Sequence, residues 1–514
     1  MRRSFYSIYR RQYMNKNVLT VKINGKNIAE YAISGYLYNG DDAKRLSDFA
    51  SKIEKATGYK LPVIDNEKLS EYKGNYIFLN DTNTDFTNYQ IKVEDGNIIV
   101  FANYYTLDDC INAFFVDILG YDFASGTVTG ANEVNITEGK SYFVEKSAIY
   151  TKEKLMSVLE EIYNDNDRII VGQHMNQGVP IGEVFDVETK AFMEGCGVEA
   201  AMFGWDCVGT MIYPHNKRNI NSGRVKLAYQ MIEYIRDGGI ITLSTHFPNP
   251  AEADPLPGTS IKHPMPNGDA DWQDLFTEGA DTNKRFWGYV TQLGDLLQIF
   301  KDNGAPVILR PFFEYNGDWT WYRMSYRDEN KKSHRFPPEY LTKTWIMMHD
   351  YFVKERGLDN IIWLYSPNVL KRAKPEDCWV CTVMYAYPGD EYVDIVGVDW
   401  YPGVARQNDP TELIYAYEDL TNPTGKIFVY GELSAGDNRT IGDNYTFTAE
   451  DYGNLLKKFA GLGIKSAYTL AWSSWDTPKG RVKLTMYEMS RGKELYANNP
   501  GFLDKAATRK LLYN

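Results

Sequence analysis

Histidine and cysteine are scarce in this 514-residue chain, at 6 and 5 residues. Zinc and similar centres draw ligands from close pairs of these residue types, a CxxC spacing being matched by a second pair. Here the histidines form no such pairs. The CxxC spacing of Cys378 and Cys381 stands alone, far from Cys110, Cys196 and Cys207. No metal and no other cofactor is expected, and the thiols read as free and buried. Positive charge is also short, with 56 Lys and Arg against 68 Asp and Glu giving a net charge of -12. Phosphate backbones need a concentrated positive face, so nucleic acid is disfavoured as a partner. No apolar run approaches the ~20 residues that cross a bilayer, so no membrane partner is expected. The opening residues Met1 to Tyr13 are basic but lack an apolar stretch behind them. No export signal is visible, which leaves the location open. Neither Ser244 nor Ser434 lies in a Gly-x-Ser-x-Gly elbow, which argues against a serine nucleophile.

What is abundant is aromatic: 14% of the chain, with 39 Tyr and 11 Trp. Polar-tipped rings suit a groove that holds an amphipathic ligand such as a sugar. A chain of this length exceeds one ordinary core, and the pattern divides near residue 147. Residues 1–147 read as a small α/β domain. Asn24-Gly25 is a hairpin turn inside Leu19 to Lys26, and Leu46, Phe49, Ile53 and Ala56 share one face of a helix from Asp42. Strands are expected at 76–79, 89–93 and 97–101, the last two joined through Glu94-Asp95-Gly96. A second helix is expected from Leu107 to Leu119.

Residues 148–514 alternate apolar strands with longer helices. Eight strands are expected, at 168–174, 200–206, 239–246, 306–314, 360–368, 393–401, 426–432 and 466–475. Helices are expected at 216–237, 341–355 and 450–461. Runs that are apolar throughout indicate strands buried on both faces. Eight such units over this length indicate an α/β fold, a (β/α)8 TIM barrel behind the smaller N-terminal α/β domain. An open doubly wound sheet would bring a glycine-rich phosphate turn after its first strand, and Gly172-Gln173-His174 lacks that spacing. Asn249 to Phe276, with five Pro and two Gly, reads as a long loop walling a cleft.

In a barrel all strand C-termini open onto one face. The residues ending these eight strands are His174, Asp206, His246, Glu314, Asn368, Tyr401, Glu432 and Trp475. Glu314 sits among aromatic residues, which solvate a carboxylate poorly and raise its pKa, as a general acid requires. Glu432 follows Gly431, which leaves room beside its carboxyl. Cleaving a glycosidic bond takes two carboxyls, about 5 to 5.5 Å apart for retention and about 6.5 to 9.5 Å for inversion. A glycoside hydrolase is therefore expected, retaining, with Glu314 as acid/base and Glu432 as nucleophile. Arg310 either supports Glu432 or forms a salt bridge within the barrel layers. Tyr401 either bonds the nucleophile or packs at the rim, and Asp399 either caps a loop or touches substrate. Trp319, Trp321, Trp400, Trp472 and Trp475 are candidate sugar platforms, one or two of which belong to the core instead. His174 and His246 offer bidirectional partners for sugar hydroxyls. A carbohydrate-binding protein without catalysis would keep the Trp residues but has no need of both Glu.

Residues 165–480 resemble glycoside hydrolase family 26, best known for endo-β-1,4-mannanases. The likeness rests on Gly172-Gln173-His174, Gly204-Trp205-Asp206, Arg310-Pro311 leading into Glu314, and Asn316 to Trp319. It continues through Trp363 to Asn368, Asp394 to Tyr401, Gly431-Glu432 and Trp472. The resemblance implies a retaining mechanism on a polysaccharide or oligosaccharide, with His246 at a sugar subsite and Tyr401 near the nucleophile. One position departs: the family's mannanases usually carry His immediately before the acid/base, where this chain has Phe313. That leaves mannan, β-1,3-xylan and mixed-linkage glucan as candidate substrates. The stretches Leu46 to Pro62, Tyr89 to Ile98 and Leu119 to Asp122 resemble the small α/β domain that precedes the barrel in families 20 and 67.

Overall fold

A computed structural model describes residues 22–23, 25–37, 42–81, 88–102, 107–122, 127–128, 133–134, 140–143, 148–176, 178–207, 222–253, 262–317, 319–327, 333–369, 382–401, 410–434, 449–477, 480–482, 484–488 and 491–514. Cys378, Cys381, Asn24 and the side chain of Trp475 lie outside this set. The chain forms two compact units, Met1–Ser147 and Ala148–Asn514.

The first unit is built on a five-stranded mixed sheet, ordered Lys140–Phe143, Asn88–Glu94, Asn97–Phe101, Asn75–Asn80, Tyr31–Tyr36. Asp95 and Gly96 join its central hairpin at φ 50 and 79, the left-handed pair that a tight two-residue turn demands. The helix Asp42–Thr57 buries Leu46, Phe49 and Ile53 in one cluster with Ile33, Ile77, Leu79 and Ile98. Phe49 meets Phe114 and Phe115 at 5.8 and 5.9 Å between ring centroids. The outer strands 31–36 and 140–143 were not evident in the sequence.

The second unit is a closed parallel barrel. Its strands are β1 (Ile169–His174), β2 (Met202–Asp206), β3 (Ile240–Thr245), β4 (Val307–Pro311), β5 (Ile361–Tyr365), β6 (Ile395–Trp400), β7 (Phe428–Leu433) and β8 (Tyr468–Ala471). Each pairs in parallel with the next, and β8 pairs with β1 to close the ring. Nearly every strand residue is buried, because side chains alternate between the barrel interior and the surrounding helices. Among those helices are Ser222–Arg236, Pro338–Asp350 and Ala449–Gly461. Among the described residues no helix is long and apolar enough to cross a membrane.

Six strand ends differ from expectation. β6 and β7 differ by one residue each, and β5 by three, stopping at Tyr365 so that Asn368 lies beyond it. β4 stops at Pro311, so Glu314 lies in the turn beyond it. β8 stops at Ala471, and Trp475 begins a separate hairpin with Gly480–Val482. His246 follows β3 directly. The expected loop 249–276 ends in a helix, Asp269–Phe276. Its start is braced by Asn249, whose Nδ2 donates to the carbonyls of His263 and Pro264.

Candidate active site

The chain leaves β4 through a strained turn. Phe312 and Glu314 adopt φ 50 and 55, a left-handed region that costs side-chain-bearing residues on the order of 1–3 kcal/mol each. Backbone bonds offset that cost. The Glu314 amide donates to the Ser366 carbonyl at 3.0 Å, and Gly317 donates back to the Glu314 carbonyl at 2.9 Å. The turn leaves Glu314 only 8% exposed. Asn368 Nδ2 donates to its Oε1 at 2.6 Å and Trp319 Nε1 to its Oε2 at 2.6 Å. Burial, then the charge of Glu432, pushes the Glu314 carboxyl up to about 7, against the opposing pull of the Trp319 hydrogen bond.

Glu432, near the end of β7, has different company. Arg310 Nη2 donates to its Oε1, and the Tyr401 hydroxyl donates to its Oε2. Arg310 Nη1 lies 2.7 Å from both carboxylate oxygens of Asp399, and Ser366 Oγ donates to Asp399 Oδ1 at 2.7 Å. Burial pushes the Asp399 carboxyl well above its ordinary value, with Arg310 pulling the other way. Asp399 thus anchors the guanidinium that serves Glu432. Gly431 is required by this network rather than by ligand space. A Cβ there would stand 2.4 Å from Ser366 Oγ and 2.7 Å from Asp399 Oδ1.

One oxygen from each of Glu314, Asp399 and Glu432 lies within 4.8 Å of the others. Such a trio has the chemistry of a cation cage, but the Arg310 guanidinium already bonds two of its members and supplies positive charge there. Three carboxylates against one guanidinium leave excess negative charge, which a proton retained on Glu314 relieves.

Around this centre, Asp206 Oδ2 lies 2.5 Å from His246 Nδ1 and fixes that ring. His174 stacks on Trp472 at 4.0 Å between centroids. Burial pushes its imidazole down to about 3, so it is neutral near pH 7. Its Nδ1 faces the Met175 carbonyl at 3.2 Å, and its buried Nε2 has no hydrogen-bond partner among the described residues.

Other candidates are placed differently. Trp321 is fully buried, donates Nε1 to the Phe247 carbonyl and packs on Trp272 at 5.6 Å. Trp400 is 3% exposed and meets Phe459 of the helix Ala449–Gly461 at 5.1 Å. Both belong to the packing and are not sugar platforms. Asn316 is turned inward: its Nδ2 donates to the Asn368 carbonyl and its Oδ1 accepts from the Asn368 amide, at 2.7 and 2.8 Å. It orients Asn368, which with Trp319 donates to the Glu314 carboxyl. Asn368 and Ser366 were missed as site residues, although Asn368 stood out as a strand-terminal amide.

The fold and the centre define a barrel with two acidic side chains in contrasting surroundings, one proton-retaining and one held by Arg and Tyr. The sequence model of glycosyl hydrolase family 26 matches residues 144–474, and the chain belongs to that family. It has a GH26-type barrel with an additional N-terminal region. Among its relatives is a mannan endo-1,4-beta-mannosidase A and B of Caldalkalibacillus mannanilyticus, 28% identical over 249 residues, covering 48% of this chain and 43% of that protein. Another is a mannan endo-1,4-beta-mannosidase of Bacillus subtilis, 27% identical over 262 residues, covering 51% and 63%. The matched region thus spans less than two thirds of these relatives. Among solved structures, a Bacillus subtilis mannanase superposes with TM-score 0.51 at 22% identity, over 68% of this chain and 90% of that one. A double mutant of a Cellulomonas fimi endo-beta-1,4-mannanase gives 0.51 at 19%, over 72% and 80%. Both share the fold.

Proposed function

We propose that this protein is a retaining β-glycosidase acting on β-1,4-mannan by double displacement. Glu432 attacks the anomeric carbon while the Glu314 proton passes to the departing glycosidic oxygen, breaking that bond and forming a glycosyl ester on Glu432. Glu314, now a carboxylate, takes a proton from water, whose oxygen displaces the ester and restores both carboxyls. The observation that carries this reading is the proximity of the two carboxyls, within 4.8 Å between oxygens, combined with their unlike partners. A gap of about 5 to 5.5 Å suits a covalent intermediate; a water between them needs more room.

His174, Asp206, His246, Trp319, Tyr401 and Trp472 are assigned to sugar binding, with Arg310 and Asp399 holding the nucleophile. Mannan is favoured by the names of the relatives, which are mannan endo-1,4-beta-mannosidases. Phe313 in place of a histidine favours testing β-1,3-xylan and mixed-linkage glucan beside it. Residues 148–514 are read as the catalytic domain. Residues 1–147 are read as an accessory domain of the type that precedes the barrel in families 20 and 67.

Reducing-sugar release from the three polymers by wild type, Glu314→Ala and Glu432→Ala tests this. Activity on at least one polymer, lost by a factor of about 100 or more in both variants, is expected for groups acting in the chemical step. Wild-type turnover retained by either variant would overturn the assignment.

A further inference from the structure

Phe313 occupies a place that the proposed mechanism has not used. Its neighbours Phe312 and Glu314 both have left-handed backbones, and the ring itself is 1% exposed. Its centroid lies 3.9 Å from Arg310 Cζ and 4.2 Å from the His246 ring. The guanidinium is planar and its donors point outward in that plane. Nη1 is committed to Asp399 and Nη2 to Glu432, so holding the orientation of the plane holds both contacts together. A guanidinium face offers no hydrogen bond and is either wetted or stacked. Here the Phe313 ring covers it, shutting out water that would compete for the Nη groups. The same ring spaces Arg310 from His246, whose Nδ1 is drawn away to Asp206.

We infer that Phe313 is a positioning residue for the nucleophile, acting through Arg310: its ring fixes the guanidinium plane so that one cation serves Asp399 and Glu432 at once. The inference rests on the functional reading above, with Glu432 as the attacking group. It concerns the first half-reaction, in which Glu432 must be oriented, and leaves acid assistance by Glu314 untouched.

The test uses dinitrophenyl β-mannobioside, whose leaving group departs without protonation, so the pre-steady-state burst of dinitrophenolate reports nucleophilic attack. The full-length chain is compared as wild type, Phe313→Leu, Arg310→Lys and the double variant, with thermal melts confirming that each is folded. Phe313→Leu is expected to slow the burst about tenfold with little change in the concentration giving half-maximal rate. In the Arg310→Lys background, which has no plane to hold, it should cost less than twofold. Phe313→Tyr, which keeps the ring face, should retain most of the rate. A Phe313→Leu burst within twofold of wild type would overturn the inference, as would an equal loss in both backgrounds, the mark of simple packing. A folded wild type giving no burst would count against the functional reading itself.

Discussion

Trp319 donates its indole Nε1–H to Oε2 of Glu314 at 2.6 Å. A hydrogen bond to the ionised form favours it, so this contact works against the burial that raises the carboxyl. Trp319→Phe removes the donor and keeps an aromatic ring. The expected result is an upward move of the basic limb of kcat/KM on the order of one pH unit, read from a pH–rate profile. An unmoved limb would show that the indole does not tune Glu314.

Burial and then the Glu432 charge push the Glu314 carboxyl up to about 7. The acid form is needed for bond cleavage, so kcat/KM should fall as pH rises through about 7. Glu432→Gln removes the second cause, and the Glu314 titration should then move down. Carboxyl-carbon NMR of the labelled protein in both forms checks this; an upward move would contradict it.

The same shift has a consequence for folding. The folded carboxyl keeps its proton above the 4.5 ordinary for a glutamate and loses it at about 7. Its contribution to stability is therefore full below the lower value and is lost as pH rises through the upper one. Urea denaturation across that window should show a decline in wild type that Glu314→Gln lacks. Parallel curves for the two proteins would contradict the assignment.

Asp399 anchors a buried cation. Asp399→Ala leaves Arg310 with one carboxylate partner and should cost about 3–5 kcal/mol of folding stability, the range for breaking a buried pair from one side. Activity should fall with it, because Arg310 Nη2 serves Glu432. Denaturant unfolding and kcat measured on the folded fraction check both parts.

Two of the candidate platform tryptophans should behave oppositely. Trp321→Ala empties a fully buried site and should cost about 3–5 kcal/mol of stability. Trp472, partly exposed and stacked on His174, should lower affinity for oligosaccharide when changed to Ala, with a small effect on melting. Calorimetric titration alongside thermal melts separates the two.

The barrel was legible because strands buried on both faces are apolar almost throughout, and those runs survive any uncertainty at their ends. Glu432 was legible for the same reason, lying close to the end of β7. Glu314 was found as a residue but misplaced as a strand terminus. The turn with positive φ at Phe312 and Glu314 is tied by the Glu314 amide to the Ser366 carbonyl, a residue far along the chain that leaves no local trace. Arg310 cannot be placed by counting alternate residues to Glu314, since the strand has already ended. Trp400 and Asn316 show a second limit: residue type does not reveal which face of a strand or turn points outward. Gly431 drew notice as leaving room for substrate or backbone beside the Glu432 carboxyl; the side chains of Ser366 and Asp399 fill that space.

Proton NMR of the product at first turnover bears most directly on the central claim, that Glu314 and Glu432 act on one acetal through a covalent ester. Hydrolysis of a β-linked manno-oligosaccharide should release the β anomer first, with the α anomer appearing only by later mutarotation. First release of the α anomer would mean that a water lies between the carboxyls, and would contradict the account.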